Sequence, residues 1–83
     1  MILNMYSIKD ELNGYTCPIP MISEEVAERY FKDQMIGNVT MKNSPKDFSL
    51  WKMGTFDSEC GTFMALPETG IKLIQRGENY ADI

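Results

Sequence analysis

Ser44-Pro45-Lys46-Asp47-Phe48-Ser49-Leu50-Trp51-Lys52-Met53-Gly54-Thr55-Phe56-Asp57-Ser58-Glu59-Cys60-Gly61-Thr62-Phe63 is the stretch on which the fold turns. It reads as a turn, a strand, a tight loop and a return strand. Ser44-Pro45 suits the start of a single helical turn. From Phe48 to Phe56, one parity carries Phe48, Leu50, Lys52, Gly54 and Phe56, and the other carries Ser49, Trp51, Met53 and Thr55. Large apolar groups fall on both, as expected of a central strand covered on two sides. Asp57 to Gly61 is the loop, with Gly61 suited to a positive φ. Thr62 to Leu66 returns, and Pro67 stops it. The stretch holds the one tryptophan and three of the four phenylalanines, so much of the core is expected to form on it.

Upstream, Ile2 to Ile8 reads as a first strand with apolar residues on both parities. Lys9 to Gly14 is a turn, sharpest at Asn13-Gly14. Tyr15 to Pro20 returns as a second strand. Pro18 and Pro20 share a parity and lack N–H groups, so this strand is expected at a sheet edge. Ser23 to Ile36 is the helix. Ser23 is a good N-cap, Glu24 and Glu25 complement the dipole, and Gly37 suits the C′ position. Val26, Ala27, Tyr30, Phe31 and Met35 form its apolar stripe. Asn38 to Lys46 reads as irregular, with Val39-Thr40-Met41 able to form a short strand. Downstream, Ile71 to Gln75 reads as a last short strand, and 76–83 as a frayed polar tail. The fold class predicted is α+β, one domain over 1–83. An antiparallel sheet of four to five strands carries one helix on a face, in the order β-β-α-β-β.

Eighty-three residues, 43% of them hydrophobic, can bury a core that is sufficient rather than generous. Seven methionines suit flexible core filling. The net charge is −4, with a pI near 4.6. That balance weighs against nonspecific nucleic-acid binding through the whole surface, which needs cations for phosphate. No apolar run is long enough for a membrane helix, and no secretory signal is visible, so no membrane association is expected. Cys17 and Cys60 stand far apart and are expected as free thiols. The chain has no histidine, the usual general base and metal ligand. Glu24, Glu25, Glu28 and Asp33 read as a solvated helix face. No metal or cofactor motif is present, and no residue is assigned as catalytic. The one binding pattern is aromatic and basic interleaving, at Lys42, Lys46, Trp51 and Lys52, which could stack and neutralise single-stranded DNA. Tyr6 and Tyr15 are a weaker version of it.

Pro45-x-Asp47-Phe48-x-Leu50-Trp51-x-x-Gly54-x-Phe56-Asp57, followed by Gly61, resembles a pattern of the small nonstructural protein of gokushovirus-type microviruses. These are tailless icosahedral single-stranded DNA phages. Tyr6-Ser7-Ile8-x-Asp10, Ala27-x-Arg29-x-Phe31 and Leu73-Ile74 are similar to its flanking segments. The chain departs from that pattern at Pro20-Met21 and at Gly37-Asn38-Val39. The resemblance implies a protein made in the cytoplasm of the bacterial host and absent from the virion. It supplies no catalytic residue. With it, the residues lead to a non-enzymatic interaction module in genome replication or packaging, binding a phage or host protein. The alternative is a single-stranded DNA-binding protein using Trp51 and the nearby lysines. An edge strand also fits a homodimer. Gly54 is expected to allow close backbone packing under the helix, and Asp57 to make the turn.

Overall fold

The computed structural model describes residues 1–66 and 70–81. The fold is α+β: six antiparallel strands and one main helix. The strands are β1 (Ile2–Asp10), β2 (Gly14–Tyr15), β3 (Ile19–Met21), β4 (Phe48–Asp57), β5 (Thr62–Ala65) and β6 (Lys72–Arg76). Two long strands, β1 and β4, pair along their full lengths. The short β2 and β3 line the outer side of β1, and the short β5 and β6 line the outer side of β4.

The expected second strand is therefore broken in two. Its prolines lie at or beside an edge, as their missing N–H groups require: Pro20 in β3 pairs with β1 alone. The first turn is set by Asp10. Its carboxylate accepts from the Leu12 N–H at 3.0 Å and the Asn13 amide at 3.0 Å, and Gly14 takes φ 87°. The second is set by Asp57, which accepts from the Glu59 N–H at 2.9 Å, with Gly61 at φ 71°. Backbone N–H donation from Glu59, joined by that of Cys60 at 3.4 Å, holds the Asp57 carboxyl below the usual carboxylate range.

Helix α1 (Glu24–Gly37) starts where Ser23 Oγ accepts from the Val26 N–H at 3.3 Å. Only Ala27, Phe31 and Met35 of it are buried, so the apolar stripe is narrower than the sequence implies, and Val26 faces solvent. Gly37 ends the helix within it rather than following it in a left-handed turn. The cap is Asn38, whose N–H donates to the Gln34 carbonyl at 2.9 Å. Asn38 also opens α2 (Val39–Asn43), its side chain accepting from the Met41 N–H at 3.2 Å. The short strand expected at Val39-Thr40-Met41 is thus a helix. A cap at its start and burial of Met41 outweigh the β-branched Val39 and Thr40.

The core joins Ala27, Phe31, Met35 and Met41 to the strand residues Tyr6, Ile8, Met21, Phe48 and Leu50. Fully burying Phe31 contributes about 2–3 kcal/mol of transfer free energy. From Gly77 the chain turns into a 3-10 helix, Gly77–Tyr80, where a frayed tail is expected from sequence. Gly77 is buried, and Tyr80 packs its ring edge-on to Phe31 at 5.9 Å. A side chain at Gly77 would collide with the carbonyl oxygens of Pro45 and Phe48, so the glycine lets this segment dock. Residues 82 and 83 of that tail, and the strand stop at Pro67, lie outside the described residues.

Gly54 has its reason in a different neighbour from the one expected. A Cβ there would collide with the Met64 carbonyl and stand 3.0 Å from Ala65 Cα, so the close approach is with β5, not the helix.

Candidate binding face

Paired residues in neighbouring strands share a face. Applied to these registers, the rule sorts the sheet into two sides. Tyr6, Ile8, Leu50 and Met21 point to the helices. Their strand neighbours point to the opposite side, where the described residues place no helix.

That side reads as four rows, in which Met5, Ser7, Ser49 and Gly54 are themselves buried and the accessible groups are the larger side chains around them. The first is Tyr15, Lys9, Ser49 and Arg76, running across β2, β1, β4 and β6. The second is Ser7, Trp51 and Leu73. The third is Pro20, Met5, Gly54 and Ala65. The fourth is Leu3, Phe56 and Phe63. No acidic residue holds a row position. Of the acids, Glu24, Glu25 and Glu28 belong to α1, Asp57 ends β4 and Glu59 lies in the loop after it, while Glu11 stands just beyond β1, beside Lys9. Burial raises the pKa of the Tyr6 phenol, and Glu24, Glu25 and Glu28 add to the rise from the helix side.

The first two rows make an ordered cluster. The half-buried Trp51 donates its indole N–H to Ser49 Oγ at 2.7 Å. The exposed Tyr15 ring meets Trp51 edge-to-face at 6.2 Å and 79°. Lys9 Nζ lies 5.6 Å from the centre of the Tyr15 ring and 3.6 Å from a Glu11 carboxylate oxygen. Beneath them the buried Ser7 hydroxyl donates to the Thr16 carbonyl at 2.7 Å, which ties β1 to the segment after β2. Lys9 and Arg76 sit two strand spacings apart, about 10 Å. Two aromatic rings lie between and beside two cations, a geometry that can stack flat rings and hold anionic groups.

The residues singled out from sequence are not brought together. Trp51 is on the open side. Lys52, its neighbour along the strand, pairs with Tyr6 and Lys72 and points to the helix side. Lys42 lies in α2 and Lys46 in the 3-10 turn Pro45–Asp47, both exposed. Tyr6 is buried in the core and offers no ring to a ligand. The cations beside Trp51 are Lys9 and Arg76, which sequence reasoning missed. The strand parity of Lys9 with Ser7 was available, but its place opposite Ser49 depends on the β1–β4 register.

A groove of about 390 Å³ lies between the first hairpin, α1 and α2, lined among others by Asp10, Thr16, Tyr30, Gln34 and Asn38. No lysine or arginine lines it, so it does not suit an anion. Cys17 and Cys60 are exposed free thiols.

The chain matches the family described as Phage ORF5 protein over residues 3–80. No curated protein and no solved structure matches it.

Proposed function

From the premise that the chain belongs to the Phage ORF5 protein family, we propose that it is a non-enzymatic interaction protein of phage genome replication or packaging in the host cytoplasm, and that its open sheet face holds single-stranded DNA. The observation carrying this reading is the sorting of charge. The chain has a net charge of −4, yet the rows of the open face carry two cations, Lys9 and Arg76, and the carboxylate that meets them is that of Glu11 against Lys9. A base stacks on a ring whatever its identity, and the phosphate that follows it finds a cation. The Lys9–Glu11 pair, half-buried at Lys9 and exposed at Glu11, is worth little in water, and Lys9 can exchange it for phosphate. A chain without histidine lacks the common acid–base catalyst, which supports a role without chemistry.

The test is anisotropy of a labelled oligothymidylate titrated with protein over a range of salt. Two phosphate contacts predict a slope of log K against log salt near −1.4, at about −0.7 per contact for single strands. Lys9→Gln is expected to bring the slope to about −0.7, and Trp51→Ala to weaken binding by about 1–3 kcal/mol. No binding at low salt, or binding indifferent to Trp51, would overturn the reading.

A second reading keeps the face and changes the occupant to a phage or host protein. The fourth row favours it: Leu3, Phe56 and Phe63 are uncharged, and Phe63 is 49% exposed. It predicts that oligonucleotide leaves the protein unaltered while a Phe56→Asp variant loses its partner.

A further inference from the structure

The two borders of the sheet are treated differently. The outer border of β1 is interrupted between β2 and β3 and carries Pro18 and Pro20. Both devices discourage pairing with another strand. The border formed by β5, Thr62-Phe63-Met64-Ala65, has neither proline nor charge. Among the described residues nothing pairs with its outer side. Met64 is 63% exposed and Phe63 49%.

The phase of the ladder says which backbone groups are free. The Leu66 N–H donates to the Met53 carbonyl at 3.2 Å, so residue 66 is in hydrogen-bonding phase with β4. Antiparallel ladders alternate, so Met64 and Thr62 also bond inward, and the N–H and C=O of Phe63 and Ala65 point outward.

We propose that two copies of the chain join at β5, antiparallel, with Met64 on the two-fold axis, forming one continuous sheet. In this register Phe63 of each copy faces Ala65 of the other, and all four outward N–H groups and carbonyls find partners. Registers centred on Phe63 or on Ala65 leave one of those residues without its counterpart in the other strand. Paired residues must share a face, which excludes the registers between. The arrangement also suits charge. Antiparallel pairing carries the two acidic β4–β5 loops, with Asp57 and Glu59, to opposite ends of the junction. Parallel pairing would set them side by side. The exposed apolar side chains Phe63 and Met64 lie on opposite sides of the sheet, so each copy brings apolar cover to both sides of the other.

This dimer is independent of the DNA reading, since the Trp51 cluster sits at the other end of β4. The test is analytical ultracentrifugation of the full chain from micromolar to millimolar concentration, with hydrogen exchange read at individual amides. A reversible dimer is expected, with the Phe63 and Ala65 amides protected as concentration rises. Met64→Lys sets two ammonium groups against each other on the axis and is expected to weaken association by up to about fivefold. Because Met64 is exposed, the monomer should keep its melting temperature, and the variant should bind oligothymidylate as the parent does. A chain that stays monomeric overturns the proposal. So does a dimer indifferent to Met64→Lys, or one whose Phe63 and Ala65 amides exchange freely.

Discussion

Replacing Gly54 by alanine tests whether β5 is held to the sheet by close backbone contact. A methyl group there would run into the Met64 carbonyl and stand 3.0 Å from both the Met64 carbonyl carbon and Ala65 Cα. These are backbone atoms, so no side chain can swing aside, and β5 must move away from β4. The movement disturbs the hydrogen-bonded pairs Thr55–Met64 and Asp57–Thr62. Each such pair exchanges two bonds, giving about four bonds at a net value near 1 kcal/mol each. A partial shift keeps some of them, so the expected loss is about 2–4 kcal/mol. Gly37→Ala is the control. Nothing lies within 4 Å of the added Cβ, and the residue is helical, so it should be neutral or gain up to about 1 kcal/mol. Urea unfolding followed by Trp51 fluorescence reads both, as a shift in midpoint at constant slope. If Gly54→Ala unfolds with the parent, or Gly37→Ala costs as much, the close-contact argument is wrong.

Asn38→Ala removes the cap of α2 and should cost about 1 kcal/mol, seen as a lower thermal midpoint with a loss of helical circular dichroism. Stability should also fall in strong alkali. Burial raises the folded Tyr6 pKa above its ordinary value near 10, so its contribution is full below that pH and is lost as pH rises through the raised value. Tyr6→Phe should flatten that decline in a pH series of urea midpoints, and an unchanged decline would refute the assignment to Tyr6.

The features legible in the sequence are those fixed by near neighbours. The Asp57–Gly61 loop, the Ser23 cap and the proline-bearing edge each depend on a few adjacent residues. Readings failed where distant parts decide. Gly77 looks like the start of a polar tail until Pro45 and Phe48 are seen to close over it. Trp51 and Lys52 are adjacent along the chain, yet their own parity sends them to opposite sides. Lys9 and Arg76 stand about 67 positions apart, and only the β1–β4–β6 registers set them in one row with Ser49.

The pairing of β1 with β4 also governs how the molecule can be made. Every other strand hangs on one of these two, yet they lie at opposite ends of the intervening segment 11–47. Closing that span costs about 3 kcal/mol of chain entropy before any rung of the ladder repays it. Neither half can therefore mature alone: the N-terminal part holds a hairpin and a helix with no floor, and the C-terminal part a hairpin with no roof. Folding should wait for β4 to be synthesised and then proceed in one slow, cooperative step. A nascent chain halted before Phe48 would expose the apolar groups of Tyr6, Ile8 and Phe31 together, as a substrate for chaperones or proteases rather than a working fragment.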